Sequence, residues 1–197
     1  MATARHGYKL EVCLTLMLFG KFALPRQLSL SFCPTFHNQW NQLIQDNLQH
    51  LCRMSGQFPP HCVSEMVDLM FPRLVLTARN SDGITIIYEI LQHLFYFLSK
   101  DHPQDIWNST CIQKLQNDLY QQMKVFNMCL DEAEMNKGLT NCETPASYST
   151  TLKVKRYFQQ INSFLTDEQH SQCAWEMVHL EMKRCFLYIT QLLQKLT

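Results

Sequence analysis

From Ser171 to the C-terminus the chain carries a stripe that only an α-helix can bury. Apolar residues recur at Trp175, Val178, Met182, Phe186, Ile189, Leu193 and Leu196, in steps of three or four, which is one helical face. Ser171 stands where an N-cap belongs. Glu176 and Glu181 lie nearer the start than Lys183, Arg184 and Lys195, as the helix dipole favours. The other face is unusual for one bathed in water: Met177, Leu180 and Leu187 mix with His179, Lys183 and Arg184. It reads either as a second buried face or as a partner-binding face.

Breakers divide the rest of the chain. Beyond residue 30 the glycines are Gly56, Gly83 and Gly138, and the prolines are Pro34, Pro59, Pro60, Pro72, Pro103 and Pro145. They leave open windows near 35–55, 84–102, 104–137 and 146–197, each with helical spacing. Phe36, Trp40, Leu43, Asn47, Leu48, Leu51 and Met54 line a helix A. Ile84, Ile87, Leu91, Leu94 and Leu98 line a helix B, widened by Tyr88 and Phe95 and capped by Asp82. Ile112, Leu115, Leu119, Met123, Phe126 and Leu130 line a helix C, capped by Ser109 or Thr110. The last window is too long for one ordinary helix, and the polar run 166–171 breaks it. Val154, Tyr157, Phe158, Ile161 and Leu165 make a short helix D before the break; the stretch from Ser171 is helix E. Leu74-Val75-Leu76-Thr77 is the one β-branched candidate for a strand, and it falls in a connector.

The connectors decide the topology. The A–B connector, near 55–83, is longer than compact domains use without a reason, and a crossover of that length lets A and B run parallel. The B–C loop, near 100–109, is short enough for antiparallel neighbours. The C–D connector, near 132–149, is polar, and helix D returns the chain so that E runs parallel to C. The expected fold is all-α: an up-up-down-down four-helix cytokine bundle with an extra fifth helix on the return path.

Residues 1–31 read as a secretory leader. Arg5, His6 and Lys9 precede the apolar run Val12-Cys13-Leu14-Thr15-Leu16-Met17-Leu18-Phe19, which is shorter than the ~20 residues that span a bilayer. Ser29 and Ser31 suit the positions before a cut ahead of Phe32-Cys33. A buried N-terminal strand or helix is the competing reading. Cleavage there leaves 13 basic and 16 acidic residues, a net charge of −3, and eight cysteines. Such a balance leaves no electrostatic footprint for nucleic acid and no polybasic membrane patch. No later apolar run is long enough to insert in a membrane. The cysteine usage suits an oxidising, extracellular destination.

Nothing is arranged for catalysis: there is no Gly-rich phosphate loop, no Gly-x-Ser-x-Gly elbow and no His-Glu-x-x-His. Asp131, Glu132 and Glu134 cluster beyond helix C, where a solvated connector accounts for them. His50-Leu51-Cys52 and His61-Cys62 lack the paired spacing of structural zinc. No catalytic residue, metal or cofactor is therefore expected. Asn108-Ser109-Thr110 is the one glycosylation sequon, in an exposed loop before helix C, where it serves equally as a helix cap. Eight cysteines allow about a hundred pairings, and spacing does not choose among them.

Four blocks, in this order of strength, resemble type I interferons. The first is Cys173-Ala174-Trp175-Glu176 followed by the basic, apolar helix. Next is Tyr88-Glu89-Ile90-Leu91-Gln92-His93-Leu94-Phe95 through Trp107, then Asp118-Leu119-Tyr120-Gln121-Gln122 and Cys129. The third is Lys155-Arg156-Tyr157-Phe158-Gln159-Gln160-Ile161, and the fourth is the spacing from Cys62 to Phe71-Pro72. Together they cover nearly all of 32–197, which the resemblance makes one interferon-type domain. Ser55-Gly56-Gln57-Phe58-Pro59 and Lys183-Arg184-Cys185 resemble the kappa branch; the run from Leu91 to Phe95 resembles bird or reptile forms. In that family one bridge ties the N-terminus to the end of helix C, and a second ties the A–B loop to the start of helix E. The resemblance thus implies two disulfides, Cys33 with Cys129 and Cys62 with Cys173. Cys52, Cys111, Cys142 and Cys185 are left over, with Cys185 beside the inner stripe of helix E as a buried thiol.

The resemblance further implies a secreted, monomeric ligand that bridges the two chains of the type I interferon receptor and triggers kinase and STAT antiviral signalling. The high-affinity chain would meet Val63, Met66 and Asp68 of the A–B loop and His179, Leu180, Lys183, Arg184 and Leu187 of helix E. Where Met66 stands the family often has an arginine, and methionine fills a pocket without charge-assisted hydrogen bonds. The low-affinity chain would meet Tyr88, Glu89, Gln92, Phe95, Tyr96, Tyr120 and Lys155 on the opposite side, with core packing the competing role for Tyr88 and Phe95. Two rival functions remain from the residues alone: another helical cytokine, interleukin-10-like or haematopoietic, and a secreted metal- or lipid-binding helical bundle.

Overall fold

The computed structural model describes residues 37–78, 80–100, 106–137 and 145–196. The expected leader and Cys33 lie outside them, as do Phe36, Pro103 and Cys142. Five α-helices follow one another: α1 (His37–Met54), α2 (Asn80–Leu98), α3 (Ser109–Lys137), α4 (Pro145–Asp167) and α5 (Gln172–Lys195). They are the expected helices A to E. Two 3-10 turns, Pro60–Glu65 and Arg73–Thr77, occupy the long α1–α2 connector. The Leu74 to Thr77 segment is therefore a 3-10 turn and not a strand, and no strand occurs among the described residues.

The buried positions follow the apolar stripes. Trp40, Ile44, Leu51 and Met54 of α1, Leu91, Leu94 and Leu98 of α2, and Ile112, Leu115, Leu119 and Phe126 of α3 are all buried. So are Val154, Tyr157, Phe158, Ile161 and Leu165 of α4, and Trp175, Val178, Met182, Phe186, Ile189 and Leu193 of α5. Each such side chain contributes about 1.5–3 kcal/mol on leaving water. Ser171 caps α5 as its position suggests, its hydroxyl accepting from the Ala174 N–H at 3.2 Å. Asp82 is not the cap of α2 but lies in its first turn, where a carboxylate still favours the helix dipole. Helix α4 is longer than the short helix D expected, because it begins nine residues before its apolar stripe. Pro145 stands at its first position, where the ring's fixed φ is already helical and its missing N–H costs nothing.

Cross-helix pairs fix the directions. Trp40 packs on Phe126, Asn47 Nδ2 donates to Gln122 Oε1 at 2.8 Å, and His50 lies 3.5 Å from Asp118. As α1 ascends, α3 descends. Likewise Leu51 meets His179 and Ser55 meets Glu176, so α5 descends beside α1. Gly83 sits against the end of α5, where an added Cβ would lie 3.0 Å from Leu196 Cδ2. Helix α2 therefore ascends against α5. Glu89 with Lys155 and Lys100 with Asn162 show α4 ascending beside α2. Helices α1 and α2 thus point one way and α3 and α5 the other, with α4 the return helix. This is the up-up-down-down bundle with a fifth helix.

Among the described residues no helix is long and apolar enough to cross a membrane. A cleft between α1 and α3, lined by Trp40, Ile44, Gln122 and Phe126, has about 10 Å³ of space, the room of a single water.

Candidate functional site

The α1–α2 connector is laid along the whole of α5 and tied to it four times. Cys62 is bonded to Cys173, with Cα atoms 5.2 Å apart and 111 residues between them in sequence. A loop that long is worth about 4–5 kcal/mol in the chain-entropy account of disulfides. Next, Arg184 Nη1 lies 3.2 Å from Asp68 Oδ1. Phe71 is buried, stacked on Tyr188 at 4.1 Å between centroids and edge-on to Tyr157 at 4.9 Å. Last, Lys195 Nζ donates to the Leu76 carbonyl. Loop and helix advance together from one end of the bundle to the other.

What the loop buries is small, and what it leaves out is apolar. Cys62, Phe71 and Val75 face inward, while Val63, Met66, Val67, Met70 and Leu74 are 47–75% exposed. Leu187, across the loop on α5, is 55% exposed. Leu180 and Lys183 are half-buried beside them. Exposed large apolar side chains concentrated on one tethered segment are the kind of surface that interaction sites use. Of the expected high-affinity set, Val63, Met66, Asp68, Leu180, Lys183, Arg184 and Leu187 are accessible from this side. Val67, Met70 and Leu74 join them from outside the expected set. Their signal in the sequence is compositional: a connector this rich in Val, Leu and Met has too little core beneath it to bury them all.

His179 does not belong to that face. It is 2% exposed, and its Nε2 donates to the Leu51 carbonyl of α1 at 2.7 Å. A carbonyl can only accept, so Nε2 carries the proton. Nδ1 lies 3.7 Å from Glu176 Oε2, and the Ser55 hydroxyl lies within 2.9 Å of both Glu176 oxygens. Burial pushes the Glu176 carboxyl up, but the neighbouring His179 and the hydrogen bond from Ser55 outweigh it and hold the group below its ordinary value. The two readings of the outer face of helix E therefore divide: Met177 and His179 are interior, and Leu187 is surface.

Arg184 is also less free than expected. The Nη1 that meets Asp68 lies 3.0 Å from Glu181 Oε1, and Glu181 is buried against the Tyr157 hydroxyl, which donates to it. Burial raises the Glu181 carboxyl above its ordinary value, opposed by Tyr157 and Arg184. The Met70 N–H, then Arg184, hold Asp68 below its own. Cys185 is a fully buried thiol in the same cluster, pushed up by burial.

The second expected face is a seam between α2 and α4. Glu89 pairs with His93 at 3.0 Å and Lys155 at 3.6 Å, and these contacts overcome its burial to lower the carboxyl. Gln92 and Tyr96 are exposed, and Tyr88 and Phe95 are half-buried, so the last two serve packing and surface together. Tyr96 lies under the Lys100 ammonium at 4.8 Å. Tyr120, on α3, lies under Lys124 at 4.5 Å.

Asn108 is exposed, and its Oδ1 accepts from the Cys111 N–H at 3.0 Å. It is the cap of α3, in place of Ser109 or Thr110. Cys129 is disulfide-bonded; the Cys33 end of the pairing expected for it lies outside the described residues. His61 brings a ring nitrogen within 4.8 Å of the Cys62 and Cys173 sulfurs, a grouping with the composition of a metal site. With the two sulfurs joined to each other, the oxidised chain offers no thiolate there.

Comparison with known proteins agrees with this architecture. A family model described as the interferon alpha/beta domain matches residues 36–196. Interferon omega-1 of Equus caballus is 33% identical over 147 residues, 72% of each chain. Interferon beta of Tachyglossus aculeatus aculeatus is 30% identical over 177 residues, covering 88% of this chain and 91% of that one. Interferon kappa of Homo sapiens is 28% identical over 191 residues, 91% of each. Among solved structures, zebrafish interferon 2 superposes with a TM-score of 0.62 at 25% identity, over 78% of this chain and 96% of that one. Zebrafish interferon 1 gives 0.68 at 15% identity, over 83% and 99%. With a five-helix bundle, a loop stapled to its last helix and a family match across the whole described chain, this protein belongs to the type I interferon family and is a cytokine, not an enzyme.

Proposed function

We propose that the protein is a secreted interferon that bridges the two chains of the type I interferon receptor and so brings their kinases together to start STAT antiviral signalling. The observation that supports this best is the exposed apolar strip of Val63, Met66, Met70, Leu74 and Leu187, held rigid along α5 by the Cys62–Cys173 bond. The high-affinity chain is read as covering that strip together with Leu180 and Lys183. The low-affinity chain is read as meeting Tyr88, Glu89, Gln92, Phe95, Tyr96, Tyr120 and Lys155. Residues 1–31 serve as the leader, Cys33 closes a second bridge with Cys129, Asn108 carries a glycan, and the ligand acts as a monomer.

The test is expression of the full chain in secreting cells. Medium from those cells is added to cells of the source species, and STAT phosphorylation is read with and without receptor-blocking antibody. A signal that the antibody removes supports the reading. Folded, secreted protein that gives no signal overturns it.

A further inference from the structure

We propose that Met70 is the anchor of the loop face: a methionine held in a left-handed backbone conformation so that its side chain reaches an uncharged, apolar pocket of the high-affinity receptor chain. The inference rests on the receptor reading above and names the residue and the pocket chemistry within it.

Three observations carry it. First, Met70 has φ of 54°, a region that residues other than glycine, asparagine and aspartate rarely enter. Strain of this kind persists only where the surroundings over-determine it, and it collects at binding sites. Here they do. The Met70 N–H donates to Asp68 Oδ1 at 3.0 Å, Asp68 is fixed by Arg184, and the next residue, Phe71, is locked between Tyr188 and Tyr157. The chain is nailed on both sides of a residue that glycine would occupy without strain.

Second, the fold gains almost nothing from the side chain. Met70 is 75% exposed, the most of any large apolar residue described. A residue whose backbone is strained and whose side chain is unburied in the free protein fits a contact made only with a partner. Methionine is also the apolar side chain that adapts best to a pocket's shape.

Third, the charges beside it are already engaged. Asp68 and Glu181 share the Arg184 guanidinium, and the other large side chains of the segment, Val63, Met66, Val67 and Leu74, are exposed and apolar. The complementary surface opposite Met70 is apolar and uncharged.

The test compares secreted wild-type protein with Met70→Gly and Met70→Leu. Melting temperature is measured alongside affinity for the immobilised ectodomain of each receptor chain. Met70→Gly relieves the strain and deletes the anchor, so melting temperature is unchanged or raised while affinity for the high-affinity chain falls about tenfold or more. Met70→Leu stays within about threefold of wild type. Affinity for the other chain does not move. Wild-type binding with Met70→Gly equally tight overturns this inference alone. A lower melting temperature for Met70→Gly does the same, because it shows a packing role. Wild-type protein that binds neither chain overturns the receptor reading, and the inference with it. Met70→Asp and Met70→Lys both lose affinity, because neither charge finds a partner in an apolar pocket; either variant binding as tightly as wild type overturns the uncharged pocket.

Discussion

Helix α5 buries two glutamates five residues apart, and its two flanks treat them in opposite ways. Glu176 and Glu181 are both no more than 3% exposed. Toward α1, Glu176 accepts from Ser55 and lies beside His179, and its carboxyl is held below the ordinary value despite burial. Toward the loop, Glu181 accepts from Tyr157 and meets Arg184, yet burial wins and its carboxyl is raised. Burial weighs most on both, and the partners decide the sign: they outweigh it at Glu176 and do not at Glu181. Arg184 Nη1 is divided between Glu181 and Asp68, and the Asp68 charge itself disfavours a second anion nearby. One flank is helix on helix, with a closed set of partners. The other is helix on loop, with a base shared at the surface. The first joins two helices of the bundle and the second seats the loop on the helix.

The largest effect should come from adding a charge to the closed flank. His179→Glu sets a second carboxylate against Glu176 and strips the Leu51 carbonyl of its donor. Breaking a buried pair costs about 3–5 kcal/mol, and the added anion makes it worse. Circular dichroism and urea titration should show a largely unfolded chain; a native-like transition would mean that the flank is open to water. The open flank depends instead on its staple. Replacing both Cys62 and Cys173 by serine should cost about 2–5 kcal/mol and expose the 63–74 segment to protease. An unchanged melting temperature would show that Phe71 and Lys195 suffice to seat the loop.

The two acids should then show opposite pH signatures. A carboxyl whose folded pKa is lowered stabilises the fold above its unfolded value of 4.5, and that stability is lost as pH falls through the folded value. Glu176→Gln should therefore be less stable than wild type at pH 7, by about 1–3 kcal/mol, with the gap closing below pH 4.5. For Glu181 the sign reverses. Its folded pKa is raised, so ionisation costs stability above that value, and the cost fades as pH falls toward 4.5. Glu181→Gln should be at least as stable as wild type at pH 7, with the advantage vanishing on acidification. Parallel pH profiles for the two variants would erase the contrast.

How much of this is legible in the sequence depends on whether the partner lies nearby along the chain. The α5 stripe is legible because each member lies one turn from the next. His179 misleads by its character: it stands four residues after Trp175 and three before Met182, which is the inward face, but its polarity suggests the surface. Its partner is the Leu51 carbonyl, 128 residues away, and no local pattern encodes that pair. The start of α4 is hidden because 145–153, rich in Ser and Thr, has no apolar period. Its boundary is set by Pro145 and by the stripe that Val154 begins. The Cys62–Cys173 bond is implied by family resemblance, not by spacing. The φ of Met70 leaves no mark in the sequence, since a methionine there looks like any other loop residue. Helices, direction and staple are readable, but the seating of side chains between distant elements is not.

The smallest change should also be the most informative about the comparison. Asp68→Asn keeps an oxygen to accept the Met70 N–H but removes the charge that competes for Arg184. Arg184 then serves Glu181 alone, and the Asp68 repulsion is gone. Glu181 should come to resemble Glu176, its carboxyl moving down toward the ordinary value or below. The readout is the pH at which Asp68→Asn and the Asp68→Asn, Glu181→Gln double variant converge in stability, compared with the same pair in a wild-type background. That pH should fall, while receptor affinity holds because the turn that presents Met70 is kept. Asp68→Ala removes both charge and acceptor, so it should show the same fall in Glu181 and lose affinity as well. A convergence pH that stays where it was would mean that burial alone sets Glu181, and that the sharing of Arg184 does not distinguish the two flanks.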